Sequence, residues 1–143
     1  MLPRDRLWCI YVAAASARNF AIARAHHIWG AVDADRFRDV RTGDAVLFVE
    51  HLRFDVVAGV KGYPRVPLEC FRGVARSCVE GTVTTSQFED GSRIWPDGVY
   101  PYRFRFAETH SRQAVRFDSS QVPSHVLAAV RLSALKQGRP VLA

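Results

Sequence analysis

Long apolar runs are missing from this chain. No stretch approaches the ~20 consecutive apolar residues that span a bilayer. Residues 7–15 imitate a short signal core. Cys9 and Tyr11 alternate within it and no cleavage pattern follows, so the run reads as a first strand and the expected location is cytoplasmic. Cysteine is scarce and odd in number: Cys9, Cys70 and Cys78. Without a signal core, that count argues for reduced thiols. Cys70 and Cys78 lie eight apart, which fits no zinc-knuckle spacing. Lysine is nearly absent. Lys61 and Lys136 are the only two, so 18 of the 20 cationic residues are arginine. Gly-x-Ser-x-Gly is also lacking, which removes a nucleophile elbow. The phosphate-cradling glycine motifs are missing too.

What remains is a chain of 143 residues, 48% apolar and with net charge +6. That is the size of one domain, 1–143, with enough apolar surface for a core that needs no staples. Arginine forms planar contacts to phosphate and stacks on bases, so the charge favours a nucleic-acid partner. An arginine-rich proteome would produce the same bias against lysine, but not by itself the net positive sign.

Residues 7–14 read as a buried strand. Ser16 is a candidate N-cap for a short helix over 17–25, which ends near His26–Gly30, with Gly30 marking a turn. Residues 33–40 suggest a helical turn. Arg41–Asp44 reads as a tight turn feeding a strand at 45–50, then a connector at 51–54 and a partner strand at 55–61. Pro64 and Pro67 interrupt the next stretch. Residues 70–79 suggest an additional strand, and 62–82 read as an insertion. Gly, Pro and Asp make most of 86–99 a loop. Tyr100–Phe106 alternates aromatic and basic positions, predicting a strand with one apolar and one cationic face. A turn near 108–111 returns the chain as 112–117. A last helix over 123–137 starts at Pro123 and stops at Gly138, with Val126, Leu127, Val130 and Ala134 on one face. The expected architecture is α+β: a mixed or largely antiparallel curved sheet with helices at its ends.

Enzymatic constellations are thin. His26 and His27 are neighbours, so as strand residues they would point to opposite faces. His51, His110 and His125 are scattered singly, and no metal site or cofactor is implied. Glu89, Asp90 and Asp97 sit in one Gly/Pro-rich loop, where carboxylates usually fix turns. Binding is better supported. Trp29 precedes Gly30, and Trp95 lies between Ile94 and Pro96. Planar aromatics outside regular elements suit stacking on a flat heterocycle or caging a methylated group, although either could simply plug the end of a sheet. Trp8 reads as core.

One series of motifs is distinctive: Asn19, then His27-Ile28-Trp29-Gly30, then Val40–Phe48 with its Gly43-Asp44 turn, then Val57–Val60, then Ile94-Trp95-Pro96-Asp97-Gly98-Val99-Tyr100-Pro101-Tyr102-Arg103-Phe104. In that order it resembles the EVE domain family of the PUA-like superfamily, distantly similar to YTH domains. The likeness covers 7–117 outside the insertion. It implies a PUA-like curved pseudo-barrel of five or six mostly antiparallel strands with helices at the rim. It implies a non-catalytic reader of a modified base, held in an aromatic pocket. By the same resemblance, Trp29 and Trp95 wall the pocket, Ile28 sits beside them, and Asn19, Ser16, Tyr100 and Tyr102 lie near its mouth. Either tyrosine is the candidate to face inward. Arg93, Arg103, Arg105 and Arg36 are candidate phosphate contacts, and Gly30, Gly43, Asp44, Pro96, Asp97 and Gly98 shape the loops. Modified DNA is the implied partner, with RNA the alternative, and the 62–82 insertion offers a surface for a protein partner. Rival expectations are a PUA-like hydrolase or nuclease using Asn19, His26, His27 and Asp97, and a small-molecule or protein-interaction module.

Overall fold

A computed structural model of the chain describes residues 6–56, 59 and 62–143. It is an α+β structure: one curled, mixed six-stranded sheet forms a half-barrel, with two helices packed on it. The strands are β1 (Leu7–Val12), β2 (Ile28–Ala31), β3 (Ala45–Phe54), β4 (Gly73–Glu89), β5 (Tyr102–Phe117) and β6 (Val141–Leu142). The helices are α1 (Ala17–His26) and α2 (Ser124–Leu135). Sheet order is β2-β5-β4-β3-β1-β6, with β1 parallel to β3 and the other pairs antiparallel. No helix among the described residues is long and apolar enough to cross a membrane.

Strand alternation divides the core in two. In β1, Trp8, Ile10 and Val12 join Phe20 of α1, Phe37, Val40, Phe48, Phe104 and Phe106 on one face. Cys9 faces the other way and packs with Val49, Phe71, Phe117 and the α2 residues Val126, Leu127 and Val130. The helical spacing seen in the last helix therefore does mark its buried face.

The parallel β1–β3 pair needs a long crossover. A 3-10 turn (Ala14–Ser16) and α1 carry the chain to the far edge of the sheet, where β2 pairs with β5. Ser16 takes the N-cap position of α1, but its side chain caps nothing. The helix stops at His27, whose left-handed φ of 59° lets its N–H reach Ala23 O. The break thus falls on His27. Gly30, expected to mark the turn, lies inside β2.

The Arg41–Asp44 turn forms as expected, with Gly43 at φ 94°. The buried Asp44 carboxylate accepts from Trp8 Nε1 (2.8 Å), Arg41 N (2.9 Å) and Arg6 Nε (3.0 Å). Burial alone would raise its pKa. These donors outweigh burial and hold the carboxyl below its ordinary value.

Other elements are longer than the pattern suggested. Residues 51–54 continue β3 rather than connecting a hairpin. Asp55 and Val56 lie past its end, and most of the expected 55–61 strand falls outside the described residues. The antiparallel partner of β3 is β4, which pairs on its other side with β5. Residues 73–82 of the supposed insertion therefore lie in the middle of the sheet. Residues 86–89, expected as loop, extend β4. No turn occurs at 108–111: β5 runs straight through, with Glu80 opposite His110 and Val79 opposite Ser111. Residues 107–114 are polar because both their faces meet solvent, not because the chain reverses.

One row of the sheet has unusual backbone. His51 in β3 (φ 45°) and Ala114 in β5 (φ 51°) flank Arg76 of β4, and both are left-handed. Across this row the alternation slips. Val49 and Leu52, three apart, pack in the same α2-side cluster, where unbroken alternation would send them to opposite faces.

Candidate functional site

A cavity of about 460 Å³ opens where the C-terminal end of β1, the start of α1, β2, the 90–101 loop and the end of α2 meet. Ser16, Asn19, Trp29, Gly30, Arg36, Trp95 and Tyr100 all line it. These come from four separate stretches of the sequence, and the fold brings them together.

Trp29 is the aromatic wall. Its half-buried ring meets Phe20 and Phe48 edge-on, at centroid distances of 5.8 and 6.0 Å. Trp8 Nε1 is spent on Asp44 and Trp95 Nε1 on Asn19 O. Among the described residues, the Trp29 indole N–H has no such partner.

Trp95 plays a different part. It is only 1% exposed, so it forms the floor of the cavity and cannot offer a stacking face. Its ring is fixed by the bond to Asn19 O (3.0 Å), by Tyr100 edge-on at 5.5 Å and by the Arg103 guanidinium 5.3 Å from its centroid. Its outer edge lies over Gly30: a Cβ there would sit 2.7 Å from Trp95 Cη2. Gly30 is required for close approach, not for backbone freedom. Ile28, on the same side of β2, is buried against Trp95 behind the cavity.

A polar network holds the rim. Asn19 Nδ2 donates to both Asp97 carboxylate oxygens (3.0 and 3.1 Å), and Tyr100 OH donates to Asp97 Oδ2 (3.0 Å). The Asn19 amide, seconded by the Tyr100 hydroxyl, keeps the Asp97 carboxyl below the usual carboxylate range. Tyr100, with φ 50°, lines the cavity; Tyr102 does not and instead pairs in the sheet with Ala31 and Glu89. Of the two tyrosines, Tyr100 is the one facing in.

The candidate phosphate arginines separate. Arg103 is fully buried and cannot meet a phosphate. Its guanidinium donates to Tyr100 O, Ser92 Oγ, Ser92 O and Val99 O, so it staples the 90–101 loop. Arg93 is exposed and donates to Pro96 O. Arg105 is exposed and lies over the Phe88 ring at 4.8 Å. Arg36 alone of the four lines the cavity, donating to Gln137 O (3.3 Å). Partial burial, with Arg139 nearby, lowers its pKa from the ordinary arginine value.

Pro96 and Gly98 shape the loop. Trp95 and Gly98 form an isolated bridge, and a Cβ at Gly98 would press on the Tyr100 ring at 3.1 Å. His26 and His27 are exposed and line no part of the cavity.

Sequence reasoning missed Tyr11, Ala134, Gln137 and Gly138 in the lining. It also missed exposed Arg18, whose charge acts on Asp97. No local signal marks the α2 end, which is far from β1 in sequence and joins it only in the fold. Arg18 is adjacent to Asn19, so its place beside the rim could have been inferred. In comparisons with known proteins, no family model matches this chain and no curated protein matches it.

Proposed function

We propose that this protein is a non-catalytic nucleic-acid-binding module that holds a modified base in the Trp29 cavity, on a fold of the PUA-like kind. One observation carries the reading. A half-exposed tryptophan with an uncommitted indole N–H lines a cavity large enough for a base, beside a locked polar rim and an arginine. Apolar cavities with a few convergent polar groups are the usual form of small-ligand sites. Stacking on one aromatic face is worth ~1–3 kcal/mol per base. A base within a duplex would first have to be flipped out, costing a few kcal/mol. The net charge of +6 supports a polyanionic partner. The motif series through Trp29 and Trp95 supports EVE-like chemistry, with modified DNA as the first partner to try and RNA the second.

The test is fluorescence anisotropy with labelled strands carrying one 5-methylcytosine, 5-hydroxymethylcytosine or N6-methyladenine, each against its unmodified counterpart. Wild type should prefer one modified strand. Trp29→Ala should weaken that binding roughly 5- to 150-fold, the equivalent of one stacked base. Equal affinity of wild type and Trp29→Ala for every strand would sink the reading. Cleavage of the probe would favour the hydrolase alternative.

A further inference from the structure

The Arg36 guanidinium is half-buried against the cavity, and its only hydrogen bond among the described residues is to a neutral carbonyl, Gln137 O. No carboxylate lies within ion-pairing distance of it there. Asp33, whose charge acts on it, is paired with Arg139 at 3.2 Å, and Arg139 itself adds positive charge. A desolvated cation without a counter-ion is costly unless an anion completes it. Arg18 does not itself line the cavity; it is exposed on α1 next to Asn19, which does, and it likewise has no ion pair among the described residues. Its field reaches Asp97 on the rim. The two cations belong to different elements. Arg18 stands on α1 beside the Asn19–Asp97 network, and Arg36 on the 33–40 segment beside the end of α2.

Resting on the reading above, we infer that Arg18 and Arg36 grip the two phosphates flanking the bound nucleotide, so that the site takes a nucleotide within a continuous strand in preference to a free nucleoside. A planar, forked guanidinium on each side suits phosphodiester oxygens. The base would enter between them, towards Trp29. Arg103, the most deeply placed arginine of the site, takes no part because its donors are consumed by the loop.

The experiment is a salt series, from 50 to 200 mM, on the full chain with the best-bound nine-nucleotide single strand from the panel above. Each phosphate contact contributes about 0.7 to the slope of log affinity against log salt, so losing one should reduce the fourfold-salt effect by about 2.6-fold. Arg18→Gln and Arg36→Gln should each remove about one such increment, and the double variant two. Arg36→Lys should retain most of the slope, which separates charge from folding. A strand with neutral methylphosphonates on both sides of the modified nucleotide should reproduce the double variant on wild-type protein. The free modified nucleoside should bind wild type more weakly than the strand, and that binding should show no comparable dependence on salt. Unchanged slopes in both Gln variants, while Trp29→Ala still loses affinity at every salt concentration, would overturn this inference and leave the base-binding reading standing. Absence of binding by every strand, or indifference to Trp29→Ala, would overturn both.

Discussion

Gly30→Ala offers a sharp check on the geometry of the site. Gly30 sits in extended backbone within β2, where alanine is conformationally acceptable. Reduced freedom in the unfolded chain would then favour alanine by about 0.4–1 kcal/mol. Space decides the opposite. A Cβ at this position would lie 2.7 Å from Trp95 Cη2, 2.8 Å from Trp95 Cζ3 and 3.0 Å from Tyr100 Cβ. Trp95 cannot yield easily: Asn19 O holds its N–H, and Arg103 and Tyr100 brace its ring. Either the indole tilts and strains that bond, or β2 moves away from the loop. Overpacking of this kind costs roughly 1–3 kcal/mol. For a chain of this length that corresponds to a fall in Tm of about 3–10 °C. Thermal denaturation, followed by tryptophan fluorescence and circular dichroism, measures it. Gly91→Ala is the control, since nothing lies within 4 Å of the added methyl. It should be neutral or slightly stabilising. A Gly30→Ala protein as stable as wild type would refute the placement of Trp95 over β2, and with it the floor of the cavity.

Asp44→Ala leaves the Trp8, Arg41 and Arg6 donors without their acceptor. Urea denaturation should show a loss of roughly 2–4 kcal/mol with an unchanged m-value. Stability should also fall in acid. The hydrogen bonds from Ser120, seconded by Arg116, hold the Asp118 carboxyl at about 2 in the folded chain, below its unfolded value of about 3.9. A depressed folded pKa stabilises above the unfolded value and stops doing so as pH falls through the folded one. Asp118→Asn should therefore lower the urea midpoint at pH 7 and flatten the acid limb between about pH 4 and 2; an unchanged limb would contradict the assignment. Thiol labelling at pH 8 should find Cys70, the half-exposed one, first. Burial pushes Cys9 up to about 12 and Cys78 up to about 11, so both should react slowly until denaturant is added.

The sequence was legible where local chemistry decides the structure. Leu7–Val12, the Gly43–Asp44 turn and the helix after Pro123 all carry their own signals. Trp29, just before Gly30, does so too, whereas Asn19, Ser16 and Tyr100, which line the same cavity, are reached only through the motif resemblance. It was illegible where tertiary context overrides pattern. The polar run 107–114 imitates a turn because β5 is exposed there on both faces. Residues 73–82 imitate an appendage because alternation slips at Arg76. Arg103 imitates a surface cation because nothing local shows that four oxygen acceptors wait for it in the neighbouring loop. Trp95 imitates a second wall for the same reason: a loop residue seldom announces that it will be covered completely.

The left-handed row through His51 and Ala114 bears on how the molecule comes apart. β1, β3, β4 and β5 each supply side chains to both hydrophobic clusters. Releasing either cluster completely therefore disturbs strands that also serve the other. Amide hydrogen exchange in the centres of these four strands should then proceed with a single opening free energy, that of global unfolding. The cavity rim, built from Asn19, Asp97 and Tyr100, lies on elements outside those four strands and is joined to them through the buried Trp95. A sheet whose strands serve both clusters thus comes apart as one cooperative unit, and the site fixed at its edge shares that unit's stability.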